Sequence, residues 1–167
     1  MAAATTKGLI LLDVNGVMCA KYDPREKELE CLIINPHYAV VARPGIREFV
    51  DELSKTYTLG IYSSTKRHNI IKILKFIFGD GICNADGIPY FQFIADRSYT
   101  SLHPDFGVNP DIKPFDTIKK LENIWSSPVF NEHRKWGPDN TLIIDDDLSK
   151  VVTNPEQTYW VAEKYVV

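Results

Sequence analysis

The chain has 167 residues, of which 44% are hydrophobic and 25% are charged, and its formal net charge is -3 at pH 7. This length predicts a single domain over residues 1–167 that needs no disulfide or zinc ion to support its core. The acidic balance argues against a nucleic-acid-binding face, and no apolar stretch approaches the length needed to span a membrane. Three cysteines without a C-x-x-C pair indicate neither a disulfide framework nor a zinc site, so we expect an intracellular protein, cytoplasmic or nuclear.

The first part of the chain predicts a strand, a flap and a helix. An apolar run forms the predicted strand Gly8 to Asp13, which ends in a carboxylate. Residues 19–42 combine a charged stretch with two short apolar runs around the turn at Asn35-Pro36, which predicts a short hairpin flap and not a folded cap domain. A helix begins near Pro44, because apolar residues follow it at helical spacing.

The middle of the chain repeats the alternation of strand and helix. A predicted strand over Tyr57–Tyr62 ends in hydroxyl side chains, and the next helix ends at Gly79. Residues 79–112 are rich in glycine, aspartate, asparagine and proline and contain one predicted strand, Tyr90–Ala95. Because long ordered connections tend to be functional, we interpret this segment as an insertion with a role of its own.

The last third completes an α/β pattern. Helical spacing predicts a helix that begins at Lys113-Pro114, and two further strands are predicted at Thr141–Ile144 and Tyr159–Val161. Strands that alternate with helices are typical of a Rossmann-like α/β domain, in which a central parallel sheet carries helices on both faces.

Carboxylates end two of the predicted strands. Asp13 follows one apolar run, and Asp145 and Asp146 follow another. Since the carboxyl ends of parallel strands lie at one edge of a sheet, where ligands bind, these side chains predict one acidic pocket that holds Mg²⁺. Ser63 and Lys113 occupy strand-end or loop-to-helix positions between them, although each taken alone fits a helix cap or a solvated surface residue.

This combination suits phosphoryl transfer. A carboxylate such as Asp13 can accept a phosphoryl group and form an aspartyl-phosphate, while a metal ion, a serine hydroxyl and a lysine ammonium stabilise the negative charge. A phospho-accepting receiver domain uses the same residue types. Its acidic pair, however, lies near the first strand, whereas Asp145 and Asp146 come late in this chain.

The order of these residues resembles the haloacid dehalogenase (HAD) superfamily of Mg²⁺-dependent phosphatases. Val40 through Ser64, with its Arg-Pro-Gly-x-x-Glu-Phe motif, is similar to the FCP/SCP-like branch, also called NLI-interacting-factor-like, which dephosphorylates the carboxy-terminal domain of RNA polymerase II. The resemblance covers roughly residues 7–162. It implies a HAD fold with a minimal cap, made of the flap and the insertion at about 79–112, and an open site for a phosphoserine or phosphothreonine protein substrate.

The resemblance also implies roles for individual residues. The nucleophile, which is also a metal ligand, falls on Asp13, and the second aspartate of the motif, the general acid/base with a metal-binding main-chain carbonyl, falls on Asn15. Phosphate binding falls on Ser63, with Ser64 as a competitor, and on Lys113, the lysine of the third motif. The acidic pair that completes the metal site falls on Asp145 and Asp146.

Asn15 departs from the family pattern. An amide can neither protonate a leaving oxygen nor deprotonate the attacking water, and loss of a general acid/base costs about 10²–10⁴ in rate. The sequence therefore leaves three outcomes open. One is a phosphatase with weakened acid/base catalysis, in which Asp147 or a residue of the insertion substitutes. The others are a long-lived phospho-enzyme and a catalytically impaired pseudophosphatase that recognises phosphate or acts as a scaffold.

Three further features have competing interpretations. Asp147 fits an N-cap of the following helix better than an additional metal ligand. Arg97 fits either a surface ion pair or a contact with a phosphorylated substrate. Lys66-Arg67-His68 places cations at a helix start, where the helix dipole opposes them, which fits either a solvated face or a nearby anion.

Overall fold

The computed structural model describes residues 6–79 and 89–167. The strands of this part, in chain order, are β1 (Leu9–Leu12), β2 (Cys19–Tyr22), β3 (Leu32–Asn35), β4 (Tyr38–Ala42), β5 (Thr58–Tyr62), β6 (Phe91–Ala95), β7 (Ser101–Leu102), β8 (Thr117–Ile118), β9 (Thr141–Asp145) and β10 (Tyr159–Val161). The α-helices of the same part are α1 (Ile46–Thr56), α2 (Arg67–Phe78), α3 (Glu122–Trp125) and α4 (Leu148–Val151). Short 3-10 turns cover Arg97–Tyr99 and Glu156–Thr158.

A parallel sheet of five strands, in the order β10-β9-β1-β5-β6, forms the centre of the described part. Strand β1 lies in the middle and is buried along its whole length, as expected for an apolar strand that is covered on both faces. In its register, Leu12 is paired with Ile61 of β5 and with Ile144 of β9. The residues that follow these positions therefore lie together at the carboxyl edge of the sheet.

Helices pack on both faces of this sheet, as predicted. Because side chains alternate along a strand, Ile10 and Leu12 face the core that contains α1 and α2, while Leu9 and Leu11 face the opposite core. Residues from α3 and α4 pack in that second core, Val151 among them. The fold is thus the predicted Rossmann-like α/β arrangement.

The predicted flap is a small antiparallel sheet. Strands β2, β4 and β3 pair in that order, and the turn between β3 and β4 lies at Asn35 to Tyr38. The predicted strand in the insertion is confirmed as β6, which pairs with β5 at the edge of the central sheet. Residues 80–88 of the insertion, with Cys83, lie outside the described residues.

The prediction of a helix that begins at Lys113 is wrong. The side chain of Asp116 accepts a hydrogen bond from the backbone N–H of Lys113 (2.8 Å), which closes a turn, and the chain then enters strand β8. Strand β8 pairs with β7, and helix α3 begins only at Glu122. The reason is that Thr117 and Ile118 are buried in succession against tertiary neighbours, which overrides the helical spacing of the apolar residues.

Among the described residues, no helix has both the length and the apolar character required to cross a lipid bilayer.

Candidate active site

Three carboxylates converge at the carboxyl edge of the sheet. Asp13 follows β1, Asp145 ends β9, and Asp146 is the next residue; each offers an oxygen within 4.8 Å of the others. Asp13 and Asp145 are buried, and Asp146 is partly exposed. The strand ends therefore meet as the sequence predicts, because β1 and β9 are neighbours in the sheet.

A buried lysine lies between two of these carboxylates, and it is Lys119. Its Nζ is 2.8 Å from Asp13 Oδ1 and 2.5 Å from Asp145 Oδ2, with no part of the side chain exposed. Burial lowers the pKa of Lys119, but the charges of Asp13 and Asp145 outweigh it, so that its pKa is raised and the ammonium stays protonated. Burial also raises the pKa of Asp145, against the opposing effect of Lys119.

Lys113, which the sequence placed in the pocket, is not brought there. It lies exposed in the loop before β8, and its ammonium donates to the carbonyl oxygen of Pro110 (3.0 Å). The error follows from the helix that was predicted at this point. Lys119 directly follows the strand at Thr117–Ile118. A prediction of that strand would have identified Lys119 as the lysine at a strand end, but the predicted helix covered this position.

The donor set of the pocket fits a hard divalent cation. With the three carboxylates ionised, their charge of -3 and the +1 of Lys119 sum to -2. Asp145 is already bonded to Lys119 and to the backbone N–H of Asp147 (2.9 Å), whereas Asp146 accepts no hydrogen bond from the described residues. Carboxylate oxygens with a net negative charge are suitable ligands for Mg²⁺.

Gly16 allows Asp146 to approach this set. Its backbone φ is +87°, and a Cβ at this position would overlap the carboxylate of Asp146. A glycine is therefore needed here both for the left-handed backbone and for the space that the carboxylate occupies.

Asn15 is held by the flap and by the loop after β5. Its Nδ2 donates to Thr65 Oγ1 (3.0 Å) and lies 3.2 Å from the hydroxyl of Tyr38 in β4. The thiol of Cys19 donates to its Oδ1 (3.6 Å). The amide is thus fixed at the edge of the pocket, with polar contacts to two other elements.

The neighbours of Asn15 are poor proton donors and acceptors. Burial, and then the nearby charge of Asp13, raises the pKa of Cys19 to about 12. Burial also raises the pKa of Tyr38, against the hydrogen bond with Asn15 that lowers it. Neither group titrates near neutral pH, so neither replaces the carboxylic acid that the family pattern has at residue 15.

Three hydroxyl side chains follow β5 on the side of the pocket opposite Asp146. Ser63 is buried, and its Oγ accepts a hydrogen bond from the backbone N–H of Thr65 (3.2 Å). The Oγ of Ser64 accepts from the Thr117 hydroxyl (3.3 Å). In both serines the hydroxyl hydrogen remains available for donation to a ligand, so the choice between them stays a prediction.

The pocket has a volume of about 260 Å³. Besides the carboxylates and hydroxyls, its wall includes Lys150 and the chain segment at Lys164 and Tyr165. The backbone N–H of Tyr165 donates to the carbonyl oxygen of Gly16 (2.8 Å), which fixes this segment beside the acidic edge. The pocket therefore combines a negative floor with cations at its mouth.

Asp147 is not part of the acidic set that converges on Asp13. Its side chain accepts a hydrogen bond from the backbone N–H of Ser149 (3.0 Å) at the start of α4. The interpretation of Asp147 as a helix cap is thereby confirmed.

Comparison with known proteins places the chain in a family. A sequence profile of the NLI interacting factor-like phosphatases matches residues 9–165. An uncharacterized FCP1 homology domain-containing protein of Schizosaccharomyces pombe is 25% identical over 158 residues, which cover 92% of this chain and 59% of that protein. The chain thus spans less than two thirds of this curated relative.

Solved structures share the fold. Fission yeast RNA polymerase II CTD phosphatase Fcp1 bound to beryllium fluoride matches with a TM-score of 0.58 at 16% identity, over 96% of this chain and 42% of that chain. A second structure of Fcp1, an essential RNA polymerase II CTD phosphatase, gives a TM-score of 0.60 at 18% identity with the same coverage of 96% and 42%. A predicted HAD-like family hydrolase from Porphyromonas gingivalis gives 0.51 at 11% identity, over 96% of this chain and 93% of that chain.

These matches confirm the resemblance that the sequence motifs indicated. Because the profile extends over nearly the whole chain and the structural neighbours share its parallel sheet, the protein belongs to the NLI interacting factor-like phosphatases and has the HAD-like fold.

Proposed function

We propose that the protein is a Mg²⁺-dependent phosphatase that acts on phosphoserine or phosphothreonine in proteins through an aspartyl-phosphate on Asp13. The observation that supports this most strongly is the buried Asp13–Lys119–Asp145 arrangement with Asp146 beside it. One oxygen of Asp13 is bonded to Lys119, which leaves the other to attack phosphorus. The bond between phosphorus and the seryl oxygen breaks, and the seryl oxygen takes a proton from solvent water, because the amide of Asn15 cannot protonate it. A water molecule then hydrolyses the acyl phosphate, which releases phosphate and restores Asp13.

The remaining residues have roles that follow from their positions. Asp13, Asp146 and the main-chain carbonyl of Asn15 would hold Mg²⁺, and Asp145 would position Lys119 and complete the negative charge of the site. When bound, the ion neutralises the oxygens of the phosphoryl group. Lys119 and Ser63 would stabilise the charge that the phosphoryl group carries during transfer. In this proposal Lys119 takes the role that the sequence assigned to Lys113.

A protein substrate fits the site better than a small metabolite. The flap and the described part of the insertion form no large lid, so the pocket opens to solvent beside the flap. The fission yeast structural neighbour is described as a phosphatase of the RNA polymerase II CTD, and its phosphoryl mimic beryllium fluoride suggests the corresponding ligand for Asp13. The proposal includes an intracellular location, which is consistent with free thiols at Cys19 and Cys31.

Asn15 supports a second candidate function, a pseudophosphatase that binds phosphorylated proteins without turnover. The amide is hydrogen-bonded to Thr65 and lies beside Tyr38, so it is an integrated part of the site. Both neighbouring groups carry hydroxyl hydrogens, which would donate equally well to a carboxylate at residue 15. The substitution Asn15→Asp is therefore compatible with the surrounding contacts and restores the general acid/base.

Hydrolysis of p-nitrophenyl phosphate distinguishes the two functions. We expect the wild type to be slow, to need Mg²⁺ and to lose activity in Asp13→Asn, while Asn15→Asp raises kcat by about 10²–10⁴. Asn109→Asp is the matched control, because it adds the same charge in an exposed loop and should leave kcat unchanged. An inert wild type with an active Asn15→Asp variant would support the pseudophosphatase.

Inactivity of both proteins, together with failure of beryllium fluoride to bind Asp13 in the presence of Mg²⁺, would exclude both candidate functions. Calorimetric titration of the ion alone shows separately whether the carboxylates hold it.

A further inference from the structure

A second cavity adjoins the pocket on the flap side. It has a volume of about 500 Å³ and shares Asn15, Lys21, Ser64 and Thr65 with the pocket. We call it the basic groove, defined by the basic side chains that line it: Lys21, Lys66, His68, Lys72 and Arg97. The two cavities thus meet at Ser64 and Thr65, directly after Ser63, which binds the phosphoryl group in the proposed function.

The groove concentrates positive charge in an acidic protein. Four lysine or arginine side chains line it and no carboxylate does, although the chain as a whole has a net charge of -3. None of these four cations forms an ion pair with a carboxylate of the described residues. Lys21 instead lies over the ring of Tyr38, 4.5 Å from its centroid. The charge of the groove is therefore available to a ligand.

The start of helix α2 supports the same interpretation. Lys66 is its N-cap residue, no side chain caps the helix, and the first turn contains no acidic residue. The positive end of the helix dipole lies beside Lys66 and His68, so the cation at Lys66 is unfavourable there unless an anion is close, and Lys72 adds a further positive charge one turn later. A bound anion would satisfy both the unpaired backbone N–H groups and the lysines.

We propose that the basic groove binds a second anionic side chain, phosphoserine or a carboxylate, of the same peptide segment whose phosphate enters the pocket. This inference deepens the proposed function and rests on it. Because Ser64 and Thr65 follow Ser63 and line both cavities, a residue whose phosphate is bound at Ser63 has its chain neighbours within reach of the groove. The substrate class is thus a multiply phosphorylated or acidic segment of a protein.

The test compares matched peptides and two charge-reversed proteins. The peptides carry one phosphoserine, one phosphoserine with a nearby aspartate, or two phosphoserines, and the second anion is moved one residue at a time on either side. Lys66→Glu/Lys72→Glu alters the groove, and Lys75→Glu is the control on the same helix, since Lys75 is exposed and does not line the groove. The measurements are kcat/KM for each peptide and for p-nitrophenyl phosphate, and the Kd of each peptide from fluorescence anisotropy.

We expect wild type to prefer the doubly anionic peptides by about tenfold, and Lys66→Glu/Lys72→Glu to abolish that preference, because complementary charges at an interface set partner choice. The same variant should retain its activity on p-nitrophenyl phosphate, and Lys75→Glu should retain both properties. The preference should decrease at high salt, as expected for exposed charges.

Three results would overturn the proposal: equal kcat/KM and Kd for singly and doubly anionic peptides, an equal loss on peptides and p-nitrophenyl phosphate in Lys66→Glu/Lys72→Glu, or binding of single-stranded RNA in place of the peptides. If no substrate is hydrolysed, the proposed phosphatase activity fails. The peptide Kd values then show by themselves whether the groove binds a second anion, because anion binding does not require turnover.

Discussion

The pocket and the basic groove adjoin each other, but the acidic set of the pocket and the side chains of the groove differ in the sign of their net charge. In the pocket, Lys119 is buried and bonded to Asp13 and Asp145, and the set retains two negative charges. In the groove, cations such as Lys66 and Lys72 are exposed and have no carboxylate partner among the described residues. Buried charges must be compensated inside the protein, whereas exposed charges can remain available to a ligand. We base on this difference the two proposals, a metal ion in the pocket and an anionic ligand in the groove.

The largest effect should come from removing the buried ammonium. Lys119→Met leaves Asp13 and Asp145 without their partner, so we expect a loss of about 3–5 kcal/mol in the free energy of unfolding. The rate of phosphate ester hydrolysis should fall by about 10²–10³ or more, because a cation that faces the phosphoryl group is lost. Chemical denaturation and steady-state kinetics measure the two effects.

Lys113→Met is the matched control for this prediction. Lys113 is exposed, and within the described part of the chain its ammonium donates only to the carbonyl oxygen of Pro110, so stability and rate should remain those of the wild type. If Lys113→Met reduced activity and Lys119→Met did not, the assignment of the site lysine would be wrong.

The metal side of the pocket can be tested through a glycine. Gly16→Ala should displace Asp146, because the added methyl group overlaps its carboxylate, and we expect Mg²⁺ affinity to fall by about tenfold or more. Gly45→Ala is a close control, since Gly45 also has a positive φ, +77°, but nothing lies within 4 Å of its added Cβ. Both variants bear the backbone strain of a left-handed residue.

Isothermal titration calorimetry with Mg²⁺ separates strain from displacement. Similar Mg²⁺ affinities in the two variants would show that Asp146 does not bind the ion.

Substitution of the two serines after β5 shows which of them binds the phosphoryl group. Ser63→Ala should lower kcat/KM by about 10–100-fold, because a hydrogen bond to a charged phosphoryl group contributes about 1.5–3 kcal/mol. Ser64→Ala should change it less than threefold by the same reasoning, about 0.6 kcal/mol or less, because the Ser64 hydroxyl is bonded to the buried Thr117 hydroxyl. The reverse order would transfer the phosphate-binding role to Ser64.

The smallest effect concerns the thiol of Cys19, which donates a hydrogen bond to Asn15. Because the pKa of Cys19 is raised to about 12, only about 10⁻⁴ of it is thiolate at pH 8, and it should resist iodoacetamide. Cys31 is partly exposed and should react faster. Peptide mapping by mass spectrometry after timed alkylation measures both rates, and rapid labelling of Cys19 in the folded protein would contradict the buried environment.

Most elements of the fold follow from local patterns. The strands that end at Asp13 and Asp145 are short apolar runs, and their burial on both faces of a parallel sheet requires that pattern. The N-cap role of Asp147 follows equally from local chemistry. Where the sequence prediction was wrong, near Lys113, helical spacing competed with non-local pairing of β7 and β8, and the pairing determined the structure.

The sequence by itself determined the α/β fold, the family and the three carboxylates, because these depend on residue type and order along the chain. Only the tertiary structure decided that Lys119, and not Lys113, neutralises Asp13 and Asp145, since that choice depends on which lysine the packing of β8 buries. The sequence also left open whether Arg97 and the cations that begin at Lys66 face an anion, and only folding places them in one groove with Lys21 of β2 and Lys72 of α2.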